Sequence, residues 1–295
     1  MPRVKANNIE IEYDTLGDPS SRPLLLIMGL GAQMIRWEEE LCEKFVERGF
    51  YVIRFDNRDI GLSTKFDEAG EPDIMKLYMQ LTKGEKIESV YTLNDMADDA
   101  VGLLTAINIE KAHICGVSMG GMIAQTIAYR HPSRVFSLTS IMSSTGNPDL
   151  PRPKPEAIKV LIQPPPTGRE EIIEHGVNNL RIIHGNGFPF DEEKARKYVT
   201  AAYERSNYRP GYSRQIAAIL ATGNRKQALS SITAPTLVIH GTEDPLMPPE
   251  GGKDTAEAIP GSKLLIIEGM GHSLPPEVWS RVLDAISENA ERAYQ

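Results

Sequence analysis

The sequence predicts an α/β fold, in which a mostly parallel β-sheet carries helices on both faces and one helical segment interrupts the pattern. Short β-rich runs alternate with longer helical patterns, as a parallel sheet requires. The run at residues 24–28 is continuously apolar, which is typical of a strand buried on both faces. From residue 143 to about residue 234 no clear strand pattern occurs, so this segment is predicted to be inserted between two strands of one sheet.

The alternation assigns each element in turn. The predicted strands are residues 9–13, 24–28, 51–55, 112–117, 135–142, 236–240 and 263–267. The predicted helices beside them are residues 34–48, 93–107, 119–130 and 276–290. The inserted segment holds two proline-rich stretches and helical patterns at residues 170–183, 192–206 and 214–222. We therefore predict a core domain formed by residues 1–142 and 235–295, and a helical cap domain formed by residues 143–234.

Composition narrows the class of protein. The 295 residues are 41% hydrophobic and 24% charged, which is ordinary for a soluble globular protein, and the net charge of -8 offers no footprint for nucleic acid. The amino terminus lacks an apolar core of signal-peptide length, and the longest apolar stretch, residues 24–32, is too short to cross a bilayer. We expect a cytoplasmic protein with no membrane or nucleic-acid partner, and leave a homo-oligomer open.

One pentapeptide combines a reactive side chain with a local structure that would expose it. Residues 116–120 read Gly-Val-Ser-Met-Gly, directly after a predicted strand and directly before a predicted helix. A serine hydroxyl is a poor nucleophile at neutral pH, so it must stand clear of its neighbours and have a base nearby. Glycines two residues to either side permit the sharp turn that projects the Ser118 Oγ. Because chance also produces the bare pattern, the assignment of Ser118 depends on partners further along the chain.

A histidine and a carboxylate are available as those partners. His272 lies in a glycine-flanked loop between the last predicted strand and the last predicted helix, and Asp244 follows the strand at residues 236–240. Loops at the carboxyl ends of parallel strands share one edge of the sheet, so both side chains are expected beside Ser118. Glu243 competes with Asp244, but a residue before proline is held extended, which favours Asp244. The alternatives are a helix-capping histidine and a turn aspartate.

Backbone amides are the expected donors to the oxyanion of the transition state. We predict the amide of Met119, directly after the nucleophile, and the amide of Leu30, in the glycine-containing turn at residues 28–31. A simple tight turn is the alternative for residues 28–31. His175 and His184 of the inserted segment could line a pocket. The other residues predicted to line the substrate pocket are Met28 and Gly29, together with Trp37, Met142, Phe188 and Leu246, and each of the last four is equally expected as ordinary core.

The order of Ser118, Asp244 and His272 along the chain, together with the turn at residues 28–31, resembles the α/β-hydrolase superfamily. The resemblance runs over nearly the whole length. It implies the α/β-hydrolase fold, with a mostly parallel eight-stranded sheet flanked by helices and an inserted helical cap. In that family the cap follows the sixth strand, which here would place it at residues 143–234.

Further motifs resemble a narrower group. Residues 56–63 are similar to the family's Asp-Asn-Arg-Gly-x-Gly-x-Ser turn, with Asp59 where glycine is usual. Residues 27–29 read Ile-Met-Gly where many relatives have His-Gly, and residues 185–191 and 269–275 add further shared marks. Together these marks resemble aclacinomycin methylesterase and related bacterial carboxylesterases.

The resemblance implies hydrolysis of a carboxylic ester with a small-molecule substrate. Ser118 would form an acyl-enzyme, His272 would act as base, Asp244 would orient His272, and the amides of Leu30 and Met119 would bind the oxyanion. No metal or cofactor is expected. Several alternatives keep the same residues: a lactonase or macrolide ring-opening esterase, and, in a different class, a non-catalytic ligand-binding protein on this scaffold. Dehalogenases and epoxide hydrolases use a carboxylate at the position of Ser118, which argues against both.

Overall fold

The computed structural model describes residues 2–295, and one eight-stranded sheet runs through its centre. Its strands, numbered along the chain, are β1 (Arg3–Ala6), β2 (Ile9–Leu16), β3 (Arg22–Ile27), β4 (Phe50–Phe55), β5 (Ala112–Val117), β6 (Val135–Ile141), β7 (Thr236–Gly241) and β8 (Lys263–Ile267). Their spatial order is β1-β2-β4-β3-β5-β6-β7-β8. The first two pairings, β1 with β2 and β2 with β4, are antiparallel, and all the others are parallel. This confirms the predicted α/β fold with a mostly parallel sheet.

Eleven α-helices of the described residues surround or extend this sheet. They are α1 (Glu39–Glu47), α2 (Ile74–Thr82), α3 (Leu93–Ala106), α4 (Met119–Arg130), α5 (Pro155–Ile162), α6 (Arg169–His184), α7 (Glu192–Arg205), α8 (Arg209–Thr222), α9 (Lys226–Leu229), α10 (Pro249–Ala258) and α11 (Pro276–Glu291). Apolar residues of α3 and α4 pack against one face of the sheet, and those of α1 and α11 pack against the other. Within residues 2–295, no helix is both long and apolar enough to cross a membrane.

Strand β5 shows why the chain folds in layers. Side chains alternate across a strand, so Ile114 joins the core beneath α3 and α4 while Cys115 and Val117 join the core beneath α1 and α11. All six residues of β5 are buried. The strand ends directly before Ser118, which therefore sits at the carboxyl edge of the central part of the sheet.

The segment between β6 and β7 is helical. Helices α5 to α9 all lie there, and none of residues 142–235 forms a strand. The division of the chain into a core domain and a cap domain remains a prediction. Helices α2, α5, α9 and α10 lie outside the predicted ranges, and two further differences concern the first third of the chain. Strand β1 is short and mostly exposed, so it carries no clear hydrophobic pattern. The helix expected at residues 34–48 is broken at Trp37, whose extended backbone separates a 3-10 turn (Met34–Arg36) from α1.

His113 is a titratable group held inside the sheet. It lies in β5 and is fully buried, with Nδ1 2.9 Å from the Ser137 hydroxyl and Nε2 3.1 Å from the Tyr294 hydroxyl. Burial, followed by the positive charges of Arg22 and Lys111, lowers the pKa of His113 to about 4. The neutral imidazole is therefore the form that the folded protein stabilises.

Acid should therefore destabilise the protein partly through His113. Since the pKa of an unfolded histidine is about 6.5, the unfolded chain binds the proton first, and stability is lost as the pH falls from about 6.5 towards about 4. Between about pH 7.5 and about pH 5, the unfolding free energy of His113→Gln should fall by about 2 kcal/mol less than that of the native protein. Urea unfolding of both proteins at the two pH values measures this. If the unfolding free energies of the two proteins fell equally with pH, the role given to His113 would be contradicted, even if one protein were less stable at both pH values.

Candidate active site

Ser118 occupies a strained turn between β5 and α4. Its backbone has φ 55° and ψ -122°, a region that side-chain-bearing residues rarely adopt. The turn is fixed on both sides, because the Ser118 amide donates to the Ile141 carbonyl at 2.9 Å and the Ser143 hydroxyl donates to the Ser118 carbonyl at 2.9 Å. Strain of this kind persists where the surroundings hold it, and it occurs often at functional sites.

Steric crowding explains why glycines lie on both sides of Ser118. A Cβ atom on Gly116 would overlap the carbonyl of Gly120, and a Cβ atom on Gly120 would overlap the carbonyl of Ile27. The start of α4 therefore packs directly against the backbone of β5 and β3. This close approach lets the turn reverse within a few residues and leaves Ser118 at the wall of a cavity.

Asp244 and His272 form a directly bonded pair at the same edge of the sheet. Their loops follow β7 and β8, and the His272 Nδ1 lies 2.7 Å from the Asp244 Oδ2. The other carboxylate oxygen of Asp244 accepts the amides of Leu246 at 2.9 Å and Met247 at 2.7 Å. The backbone after Asp244 thus fixes its carboxylate, and the carboxylate fixes the orientation of the His272 ring through Nδ1. Glu243, the competing carboxylate, instead accepts the amide of Asn186 at 3.3 Å.

The surroundings of Asp244 keep it charged. Burial alone would raise the pKa, but the charge of His272 and hydrogen bonds from His240 and His272 outweigh burial and lower the pKa to about 2. His240 lies at the end of β7, and its Nε2 is 2.7 Å from the Met247 carbonyl and 3.5 Å from the Asp244 Oδ2. Asp244 is therefore ionised at any neutral pH, the state in which a carboxylate can stabilise a neighbouring imidazolium.

Two backbone amides lie unpaired near Ser118. Met119 is the first residue of α4, where an amide has no partner within its own helix. Leu30 lies in the turn after β3, and among the described residues neither its amide nor that of Met119 has a hydrogen-bond acceptor. Gly29 brings this turn close to the serine, since a Cβ atom placed on Gly29 would lie 3.2 Å from the Ser118 Cβ.

These groups open onto one large, mostly apolar cavity of about 660 Å³, within the range of cavities that hold drug-sized ligands. Ser118 and His272 both line it, whereas Asp244 lies buried behind His272. The inserted helices α5 to α8 contribute much of its wall. The other predicted site residues that line the cavity are Met28, Gly29, Leu30, Trp37, Met119, Met142 and Leu246.

Phe188 is the exception among the predicted pocket residues. It does not line the cavity and instead packs against the core beneath α1 and α11. Its carbonyl lies 3.2 Å from the Nε2 of His184, whose Nδ1 lies 2.9 Å from the Ser273 hydroxyl. His184 is therefore a contact between the inserted segment and the His272 loop rather than a cavity residue, whereas His175 does line the cavity. The expectation for Phe188 is corrected accordingly, because Gly187 lets the chain before Phe188 pack directly against the backbone of Gly269 in that loop.

Polar contacts that no sequence motif indicates join the inserted helices to the turn after β3. The Gln215 side chain in α8 accepts the Gly31 amide at 2.9 Å and donates to the Arg58 carbonyl at 2.9 Å. Gln33 donates to the carbonyls of Ala202 at 2.7 Å and Ser206 at 2.9 Å. These contacts fix the turn that contains Leu30 against helices α7 and α8. Gln33 in a loop and Gln215 in a helix belong to no sequence motif that would reveal these contacts.

Comparison with known proteins agrees with this architecture. Residues 22–277 match the family described as alpha/beta hydrolase fold. Rhodomycin D methylesterase DnrP of Streptomyces peucetius is 30% identical over an alignment of 316 positions, which covers 99% of each chain. The structure of an enol-lactonase from Burkholderia xenovorans matches with a TM-score of 0.70 and 21% identity over 99% of both chains. A meta-cleavage product hydrolase, CumD of Pseudomonas fluorescens, matches with a TM-score of 0.77 and 22% identity over 99% of this chain and 98% of that chain.

The fold and the relatives together define a hydrolase. The chain belongs to the alpha/beta hydrolase fold family. It is an ester hydrolase, similar over its full length to a bacterial methylesterase. The resemblance inferred from the sequence motifs is thereby confirmed, and the two solved structures, both under 25% identical, support the fold alone.

Proposed function

We propose that this protein is a serine carboxylesterase that cleaves methyl esters of large, mainly apolar acids through an acyl-enzyme on Ser118. The observation that carries the proposal is the convergence of Ser118 and His272 on one apolar cavity, with the Asp244 carboxylate bonded to the far nitrogen of His272. A strained serine, a histidine and an ionised carboxylate in this arrangement supply a nucleophile, a base and the group that orients the base.

The reaction follows from the roles of these groups. His272 Nε2 takes the proton of Ser118 as Oγ attacks the acyl carbon, and Asp244 stabilises the imidazolium that forms. The oxyanion is bound by the amides of Leu30 and Met119, whose donors have no partner within residues 2–295. His272 then returns the proton to the departing alcohol. Water attacks the acyl-enzyme by the same route, with His272 again as base, and releases the acid.

The size of the cavity supports a large acyl group. Its volume of about 660 Å³ far exceeds what a methyl alcohol needs, and its wall is mostly apolar. The relative from Streptomyces peucetius is a methylesterase by name, which favours the methyl group as the leaving alcohol. We propose residues 143–234 as the cap domain that sets the preference for the acid, because helices α5 to α8 supply much of the cavity wall.

A panel of esters tests the proposal. It contains nitrophenyl esters of graded acyl length, methyl esters of large apolar acids and homoserine lactones. We expect hydrolysis of the methyl esters, with kcat/KM rising as the apolar acid grows until it fills the cavity, by about fourfold per added methylene at most. A preference for the lactones would favour the lactonase alternative. Absence of turnover on every member would contradict the proposed esterase.

A further inference from the structure

Arg36 is a positively charged residue in the wall of the substrate cavity. It ends the 3-10 turn that follows the Leu30 loop, and its side chain is half-buried. The guanidinium carbon lies 4.8 Å from the ring centroid of Tyr198 in helix α7, and Tyr198 also lines the cavity. This contact holds the planar guanidinium in place from the side of the inserted helices.

The charge of Arg36 has no counter-ion within the part of the chain that the structure describes. Among residues 2–295 no carboxylate lies within 4.0 Å of its guanidinium, and none of its side-chain N–H groups has a hydrogen-bond acceptor. Arg209, the other arginine that lines the cavity, pairs with Glu71 at 3.2 Å. Arg205, beside Arg36 near Tyr198, pairs with Asp56 at 2.6 Å. Arg36 thus differs from its neighbours by offering a free planar set of donors to the cavity.

We propose that Arg36 binds a carboxylate carried by the acid part of the substrate, so that the preferred substrates are half-esters of dicarboxylic acids. The proposal rests on the esterase function proposed above and specifies its substrate class. A guanidinium matches a carboxylate in charge and in its two parallel donors. In a mostly apolar cavity such a pair is poorly solvated and therefore selective, because a neutral ester leaves the guanidinium donors without acceptors. The group bound by Arg36 is not the ester that reacts at Ser118.

Matched substrates isolate this contact. We would compare the monomethyl and dimethyl esters of straight-chain dicarboxylic acids over a series of lengths, with methyl alkanoates of the same lengths as neutral references. At the length that spans from Ser118 to Arg36, the protein should favour the monomethyl ester over the dimethyl ester by about 10-fold or more in kcat/KM. The advantage should appear in KM, and it should fall away at shorter lengths that cannot reach Arg36.

Variants then assign the preference to one side chain. Arg36→Gln should lower kcat/KM for the monomethyl ester by about 10- to 100-fold while changing kcat/KM for the methyl alkanoate of the same length by less than about threefold. Arg36→Lys, which keeps the charge without the paired donors, should restore part of the preference. Arg209→Gln, which removes a cavity arginine already paired with Glu71, should keep the preference for the monomethyl ester.

The possible outcomes distinguish a failure of the role given to Arg36 from a failure of the proposed esterase function. Equal kcat/KM for monomethyl and dimethyl esters at every length would overturn the role of Arg36 and leave the esterase proposal standing. An equal loss on all substrates in Arg36→Gln would show that the stack on Tyr198 only supports the cavity wall, and would also overturn the inference. If no ester of any kind were hydrolysed, the proposed function itself would fail.

Discussion

Replacing Ser118 with alanine should abolish ester hydrolysis and leave the fold intact. The substitution removes the only atom that forms the acyl-enzyme, so kcat should fall by about 10⁴- to 10⁶-fold. Both backbone bonds that hold the turn, to Ile141 and from Ser143, use the Ser118 main chain and survive the change. The measurement is the rate on the best methyl ester, together with the circular dichroism spectrum and the Tm.

The serine next to this turn provides a matched control. The Ser143 hydroxyl donates to the Ser118 carbonyl, but Ser143 does not line the cavity. Ser143→Ala should therefore cost about 1 kcal/mol of stability and less than about tenfold in kcat. Binding of a product acid should persist in Ser118→Ala, because the cavity wall is unchanged. Undiminished turnover in Ser118→Ala would refute the acyl-enzyme mechanism, and loss of binding as well as turnover would point to a collapsed site.

Most of the sheet could be predicted because each central strand is locally unambiguous. Strand β5 is a run of small and apolar residues followed by a glycine-flanked serine, and the structure has the predicted strand at residues 112–117 and the predicted helix at residues 119–130. Strand β1 escaped prediction because only one of its four residues is buried. Its pairing depends on β2 and on no hydrophobic pattern of its own.

The candidate site also has a part that the sequence predicts and a part that it does not. The positions of Ser118, Asp244 and His272 could be predicted because short glycine- and proline-containing turns place them directly after strands, where the sheet brings distant segments together. The wall of the cavity could not be predicted to the same depth. Whether Arg36 of the 3-10 turn or Phe188 of the loop after α6 faces the cavity depends on how the inserted segment packs on the core, which periodicity alone does not define.

Replacing Asp244 with asparagine should impair catalysis severely through the tautomer of His272. The Oδ1 atom of Asp244 accepts two amides, from Leu246 and Met247, so the asparagine oxygen should occupy this position. Its amino group would then face the Nδ1 of His272, where the Oδ2 atom of Asp244 lies 2.7 Å away in the native protein. An amino group is a donor, so Nδ1 would have to accept and the proton would move to Nε2.

A histidine protonated at Nε2 cannot take the proton of Ser118, and the loss of charge also removes the stabilisation of the imidazolium. We expect kcat to fall by about 10⁴-fold at neutral pH. KM should change little, because Asp244 does not line the cavity. Steady-state kinetics on a methyl ester, with the Tm as a check on folding, measures both effects.

Glu243→Gln is the control that decides between the two neighbouring carboxylates. Glu243 is bonded to the amide of Asn186 in the inserted segment, and the glutamine oxygen can keep this contact. Its activity should stay within about threefold of the native protein, since the pair of Asp244 and His272 is untouched. If Glu243→Gln were the more damaging substitution, Glu243 and not Asp244 would be the acid. The contrast is informative because the two residues share one turn, while only Asp244 combines a bond to His272 with a carboxylate fixed by two backbone amides.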